Sequence, residues 1–121
     1  MKRGEIYFVD LEPGLGHEAK GRRPVLIVTS DVYNTKPLVV TVVVGTAARN
    51  VPDEYLSNVR VTAAETGLRI DTVFLCFQIR ALDHSRFHDA RGKPVAPAGV
   101  MPAAKMAEVE RALRLVLDVE D

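Results

Sequence analysis

Short runs of β-branched and aromatic residues recur along the chain, separated by polar stretches that contain glycine and proline. Runs of this kind predict β-strands, and the stretches between them predict turns. The strongest run holds five valines and one threonine, which disfavour a helix, and it ends at Gly45 and Thr46. The predicted strands are residues 5–10, 24–29, 38–44, 59–62 and 72–79.

One long helix is predicted near the C-terminal end. Pro102 suits a first turn, and the apolar residues that follow recur at helical spacing on one stripe. A single helical turn through Asn34, capped by Ser30 or Asp31, is predicted earlier in the chain. The stripe consists of Met106, Val109, Leu113, Val116 and Leu117.

Short strands joined by irregular connections exclude a repeating βαβ array, which needs helices of about 10–15 residues between strands. We therefore expect a mainly β (α+β) fold, a small and strongly curved antiparallel sheet or barrel covered by the C-terminal helix. Residues 1–121 fit one domain, since most single domains have about 100–150 residues.

Composition excludes several classes of protein. The chain is 47% hydrophobic and 26% charged, which argues against disorder, and no apolar run approaches a membrane span. No secretory signal precedes the first strand, so we expect a cytoplasmic protein. Cys76 is the single cysteine. It lies within an apolar run, which favours a buried small hydrophobe over a nucleophile.

The 16 basic and 16 acidic residues cancel, but their distribution is uneven. Residues 106–121 carry a formal charge of −3, so the rest of the chain carries +3. A local basic surface therefore remains compatible with zero net charge, because partners respond to the local field. Lys20, Arg22 and Arg23 follow a glycine-rich stretch and are the candidate residues for such a surface.

Histidines offer two further candidates. His17 lies beside Glu18 in the same loop, where it is either a group for acid–base chemistry or a solvated side chain. His84 and His88 have the spacing of a helical metal-binding pair. No glutamate stands beside the first histidine and no third ligand is evident, which favours surface histidines and no metal site.

Arg23 precedes a proline that we expect to begin a strand, and Thr46 follows the glycine that we expect to end one. A sheet fixes side chains at strand ends along the rim of a cleft. The arginine fork and the threonine hydroxyl together could hold and polarise a phosphodiester.

Several segments resemble the MazF/PemK toxins of bacterial toxin–antitoxin pairs. With the C-terminal helix, they cover nearly the whole chain in the order and spacing of that family. The matching segments are residues 3–11, Glu12-Pro13, Gly16-His17-Glu18, residues 21–28, Gly67-Leu68 with Asp71, and residues 77–80.

The resemblance implies a sheet related to the SH3-like barrel and a homodimer. It also implies a metal-independent endoribonuclease, without a cofactor, that cuts single-stranded RNA to 2′,3′-cyclic phosphate and 5′-hydroxyl ends. Arg23 and Thr46 occupy the family's catalytic positions, and Glu18 and Gln78 match polar positions of its RNA groove. His17 departs from the small polar residue that commonly stands there. The expected substrate-binding residues are His17, Glu18, Lys20, Arg22 and Gln78.

The resemblance also implies an antitoxin partner similar to MazE, whose acidic, partly disordered segment would occupy the RNA groove. Contact with DNA would be indirect, through the antitoxin, and no membrane is involved. Two alternatives share the architecture. One is a CcdB-like toxin that binds DNA gyrase and cleaves nothing, and the other is a non-toxic SH3-like adaptor.

Overall fold

The described residues form one sheet of six antiparallel strands. The computed structural model describes residues 1–36 and 38–120. The strands lie in the order β4-β5-β3-β2-β1-β6, and the sheet curls into a half-barrel, so the predicted antiparallel architecture is confirmed. The strands are β1 (Glu5–Asp10), β2 (Arg22–Ile27), β3 (Val39–Ala47), β4 (Asn58–Val61), β5 (Thr72–Asp83) and β6 (Gly99–Val100).

Three helices accompany the sheet: α1 (Asp31–Asn34), α2 (Ala63–Thr66) and α3 (Ala103–Leu117). Ser30, one of the two caps that the sequence predicted, caps α1. The sequence predicted only a turn at residues 63–67, where a capping box between Thr62 and Glu65 forms a short helix instead. Gly67 ends α2 in the left-handed conformation, with φ of 87°. No helix among the described residues is long and apolar enough to cross a bilayer.

Alternate residues of the strands build two hydrophobic clusters, one on each face of the sheet. The first lies between the sheet and α3 and includes Leu26, Val43, Phe74 and Val109. The second lies on the opposite face and brings together ten buried residues of β1, β2, β3 and β5, of the position just after β1, and of the turn after β5. These are Tyr7, Val9, Leu11, Val25, Ile27, Val40, Val42, Val44, Leu82 and Phe87.

The predicted apolar stripe of α3 is confirmed in its first part only. Met106 and Val109 are buried, and Leu113 packs against the first cluster. Leu117 is 53% exposed at the last residue of α3, so the prediction for this residue is wrong. Ala112, which the sequence analysis did not place on the stripe, is buried instead.

Two predicted strand ends are also wrong, because pairing extends the strands past Pro24 and Gly45. Strand β2 begins at Arg22, and Pro24 lies opposite Phe8 of β1. Pairing of β2 with β3 starts only at Val25, so a residue without an N–H is tolerated before that point. Strand β3 passes through Gly45 and continues to Ala47, with Thr46 opposite Val73.

An irregularity in β5 shifts its register against β3. Val43 lies opposite Ile79, whereas Val44 lies opposite Leu75, so Cys76, Phe77 and Gln78 have no partner across the ladder. Bulges of this kind bend a strand and redirect its side chains. Strand β5 then continues to Asp83, four residues beyond the predicted end at Ile79.

Cys76 is completely buried, as the sequence predicted, and burial raises the pKa of its thiol to about 11. A thiol reacts as the thiolate, so both access and ionisation are suppressed in the folded protein. We expect iodoacetamide at pH 8 to alkylate Cys76 at least ~100-fold more slowly in the native protein than in urea. Mass spectrometry over time measures both rates, and equal rates would contradict the burial.

Candidate active site

Arg23 and Thr46 meet across two neighbouring strands. The antiparallel register of β2 and β3 pairs Val25 with Val44, and two residues further along it sets Arg23 opposite Thr46. The Arg23 Nη1 atom donates a hydrogen bond to Thr46 Oγ1 at 3.0 Å. A second bond, from Arg23 Nε to the carbonyl oxygen of Lys20 at 3.0 Å, fixes the other side of the guanidinium. The structure therefore brings the two predicted catalytic residues into direct contact.

Asn50 completes this group, and sequence reasoning missed it. Its Nδ2 atom donates to Thr46 Oγ1 at 3.0 Å from the 3-10 turn Ala48–Asn50, which follows β3 directly. Nothing in the sequence signalled this contact, because Asn50 stands in a polar connection that was predicted as a loop. The contact depends on the 3-10 turn, which brings the Asn50 side chain back over the end of β3.

The loop between β1 and β2 lies beside this group and is held at several points. At its base, the N–H of Leu11 donates to the carbonyl of Gly21 at 2.9 Å. Further along, Gln78 Oε1 accepts the N–H of Ala19 at 2.8 Å, and Gln78 Nε2 donates to the carbonyl of His17 at 3.3 Å. The irregularity in β5 therefore aims a side-chain amide that fastens the loop to the sheet.

A groove of about 680 Å³ opens between this loop and β5. His17 and Glu18 line one wall, while Phe77, Gln78 and Arg80 line the other. The Phe77 ring is 54% exposed there. The groove combines cationic, anionic, amide and aromatic groups, which suits an extended polar ligand with flat rings.

The remaining predicted residues do not all lie together. Lys20 is exposed and follows the groove along the chain, and its carbonyl oxygen binds Arg23. Arg22 lies on the opposite face of β2 from Arg23, with its guanidinium carbon 5.8 Å from the centre of the Phe8 ring. It therefore does not belong to the Arg23–Thr46 group. Glu18 Oε2 accepts the N–H of Leu15 at 3.3 Å, within the loop itself.

The two other histidines lie away from this site. His84 begins a 3-10 turn after β5, and its ring centre is 5.7 Å from that of His88. The His88 Nδ1 atom is 3.0 Å from the carbonyl oxygen of His84. Among the described residues, no group of three or more histidine, cysteine or acidic side chains is arranged to hold a metal ion.

The arrangement around Thr46 is suited to an anion. The guanidinium of Arg23 offers several N–H donors in a fixed plane and keeps its charge in proteins. Thr46 is only 8% exposed, so its hydroxyl is fixed by its surroundings. Donors fixed in advance stabilise charge that develops during a reaction more than mobile ones do.

Replacing Gln78 by alanine is expected to free the loop. The variant loses the acceptor for Ala19 N–H, and one lost hydrogen bond of about 1 kcal/mol corresponds to roughly a fivefold to tenfold change in local opening. Hydrogen exchange followed by NMR should show the Ala19 amide exchanging faster by about that factor. The Gln78→Glu variant keeps an acceptor and should stay near the wild-type rate. Unchanged exchange in Gln78→Ala would contradict the contact.

Comparison with known proteins places the whole chain in one group. The family model for the PemK-like, MazF-like toxin of type II toxin–antitoxin systems matches residues 2–117. Endoribonuclease MazF9 of Mycobacterium tuberculosis is 36% identical over 124 aligned residues, which cover 98% of each protein. Endoribonuclease EndoA of Bacillus subtilis is 36% identical over 91 residues, covering 74% of this chain and 76% of EndoA.

Solved structures share the fold. The MazF crystal structure from Deinococcus radiodurans superposes with a TM-score of 0.76 at 25% identity, over 98% of this chain and 96% of that one. A mycobacterial endoribonuclease in complex with its cognate antitoxin superposes with a TM-score of 0.74 at 20% identity. That alignment covers 100% of this chain and 98% of the other.

Proposed function

Because the chain belongs to the PemK-like, MazF-like toxins of type II toxin–antitoxin systems, we propose that it is an endoribonuclease toxin. The substrate is single-stranded RNA, cut at short sequences without a metal ion or cofactor. The products carry a 2′,3′-cyclic phosphate and a 5′-hydroxyl. Relatives of similar length are named endoribonucleases, and none of those compared supports the gyrase-binding alternative.

The contact between Arg23 and Thr46 carries this proposal. Both residues occupy positions that the family resemblance marks as catalytic, and they lie within hydrogen-bonding distance of each other across β2 and β3. The groove of about 680 Å³ supports a single-stranded substrate, because the bases of a single strand can be splayed apart and contacted individually. RNA, and not DNA, is the substrate because its 2′-hydroxyl is the nucleophile.

In the reaction, the ribose 2′-oxygen loses its proton and forms a bond to phosphorus, while the bond from phosphorus to the 5′-oxygen breaks. The 5′-oxygen takes up a proton. Arg23 stabilises the negative charge that grows on the phosphate oxygens toward the transition state, where such donors have most effect. Thr46 donates to one of these oxygens. His17 or Glu18, on the groove wall, supplies acid–base help.

Substrate binding falls to His17, Glu18, Lys20, Arg22 and Gln78. His17 and Glu18 face the groove, and exposed Lys20 attracts the phosphates. Gln78 acts by holding the loop, since both ends of its amide are bonded to it. Arg22 lies on the other face of β2 and would contact a separate segment of the RNA.

The proposed partners are an antitoxin similar to MazE and a second copy of this chain. Structures of related toxins have been solved with their antitoxins, which supports the first partner. Large apolar side chains remain exposed at the first helix and the start of β3, including Tyr33 at 72% and Leu38 at 80%, which supports a homodimer. DNA would be reached only through the antitoxin.

We also propose that residues 1–121 form one toxin domain and that the protein acts in the cytoplasm, without contact with a membrane.

The deciding experiment incubates the purified protein with one long single-stranded RNA in EDTA and maps the cut sites and end groups. We expect cuts at a short recurring sequence that leave cyclic phosphate and 5′-hydroxyl ends. Intact RNA together with inhibition of gyrase supercoiling would favour the CcdB-like alternative. Unimpaired growth of bacteria that express the chain alone would contradict both toxin functions and favour the adaptor.

A further inference from the structure

We propose that Asn50 is a positioning residue that turns the Thr46 hydroxyl into a donor aimed at the scissile phosphate. This inference rests on the proposed function and adds a residue to its machinery. It starts from a contact that neither the sequence pattern nor the family comparison indicated.

The hydrogen bonds that the Thr46 oxygen accepts determine whether its hydroxyl group acts as a donor or as an acceptor toward a ligand. A threonine oxygen has two lone pairs and one hydrogen. Arg23 Nη1 and Asn50 Nδ2 both donate to this oxygen, each at 3.0 Å, so the two lone pairs are occupied. Within the described part of the chain, no acceptor takes the remaining hydrogen. The hydroxyl is therefore left with a proton that it can only donate, and an anionic phosphate oxygen is its natural partner.

The backbone holds Asn50 in a position to do this. The N–H of Ala48 donates to the carbonyl of Asp71 at 2.9 Å, and the N–H of Val51 donates to the carbonyl of Ala48 at 3.0 Å. These bonds close the 3-10 turn and fasten it to the sheet, so that Asn50 returns above Thr46. The asparagine is itself exposed, so packing in the core does not explain its presence there.

The opposite donor is fixed as well. Arg23 is held through Nε by the carbonyl of Lys20, so its Nη1 atom reaches Thr46 from one constant direction. With Arg23 alone, one lone pair of the hydroxyl would stay open and its hydrogen could rotate among several acceptors. With Asn50 present, only one direction remains. Such preorganisation contributes to the chemical step more than to substrate binding.

Two substitutions of Asn50 separate donation from shape. In Asn50→Ala the donor is lost, and we expect kcat for RNA cleavage to fall about tenfold. In Asn50→Asp the side chain keeps its shape but accepts the Thr46 proton, which reverses the hydroxyl, and we expect a loss of about 100-fold. Affinity for an RNA with a 2′-deoxynucleotide at the cut site should change by less than about threefold in Asn50→Ala.

Controls distinguish this role from a structural one. Asp53→Asn, an exposed change on the same connection, should keep wild-type kcat, and all variants should melt near the wild-type temperature. In a Thr46→Val background the hydroxyl is absent, so Asn50→Ala should cause no further loss. A full additional loss in that background would overturn the proposal, because Asn50 would then act without Thr46.

Three further outcomes would each contradict the inference. Full activity of Asn50→Asp would show that position 50 accepts from Thr46, which would also overturn the proposal. Cleavage by the wild type together with unchanged kcat in Asn50→Ala would overturn this inference and leave the proposed function standing. Failure of the wild type to cleave any RNA would contradict the proposed function itself, and this inference with it.

Discussion

Replacement of Arg23 by alanine is expected to lower kcat for cleavage of a long single-stranded RNA by about 100-fold to 1000-fold, the usual effect of removing one donor to a developing oxyanion. The guanidinium donates to Thr46, and in the proposed reaction it also stabilises the phosphate, so its loss removes charge and positioning together. Single-turnover cleavage, with enzyme in excess, measures the chemical step directly.

Two variants serve as controls for this prediction. Arg91→Ala removes the same charge from an exposed loop and should leave cleavage unchanged. Arg23→Lys keeps the charge, but an ammonium cannot reproduce the planar fork, so we expect a loss between those of the other two variants. A loss of less than tenfold in Arg23→Ala, about 1.4 kcal/mol, would contradict the assignment of Arg23 as catalytic.

Replacement of Phe74 by alanine is expected to have the largest effect on stability. Phe74 is completely buried between the sheet and α3, and truncation of such a side chain costs about 3–5 kcal/mol. That is a large part of the 5–15 kcal/mol typical of a whole domain. Urea denaturation followed by circular dichroism measures the change in the free energy of unfolding.

Phe77 provides a matched control on the same strand. Its ring is 54% exposed, so Phe77→Ala should change the free energy of unfolding by only about 0.5 kcal/mol. Equal losses for the two variants would show that the first cluster does not depend on Phe74.

Gly45 tests the same packing from the opposite strand. A Cβ at this position would lie 2.9 Å from Phe74 Cε1 and 3.2 Å from Pro24 Cγ, both parts of rigid rings. We expect Gly45→Ala to cost about 1–3 kcal/mol in the wild type and less in the Phe74→Ala background. Additive costs would mean that the ring and the glycine are independent.

Gly45 also shows where prediction from the sequence failed. A glycine after a run of valines predicts the end of a strand, although here the glycine gives room to the Phe74 ring from the neighbouring strand. A local sequence pattern does not reveal contacts between strands that are far apart in the sequence. The continuation of β3 through Thr46 depends on such a contact, with β5, and could not be predicted. The valine run itself predicts a strand correctly, because its six β-branched residues, five valines and one threonine, leave little alternative.

The site was predicted in part for the same reason. Arg23 and Thr46 could be found from a family pattern in the sequence, whereas their contact required the register of β2 against β3. The separation of Arg22 from Arg23 follows from strand alternation, once β2 is known to begin at Arg22. Asn50 could not be found at all, since a short turn, and no pattern, brings it to Thr46.

The tip and the root of the loop between β1 and β2 are held by different hydrogen bonds. The tip, residues 15–18, closes on itself through the bond from Glu18 N–H to the carbonyl of Leu15 at 3.0 Å. Gln78 binds the carbonyl of His17 in the tip and the N–H of Ala19 beside it, while the root is held by Gly21 and by the bond between Arg23 and Lys20. These bonds all use main-chain atoms of the loop, so the side chains of the tip, and with them one wall of the groove, can vary without disturbing the bond that holds Arg23.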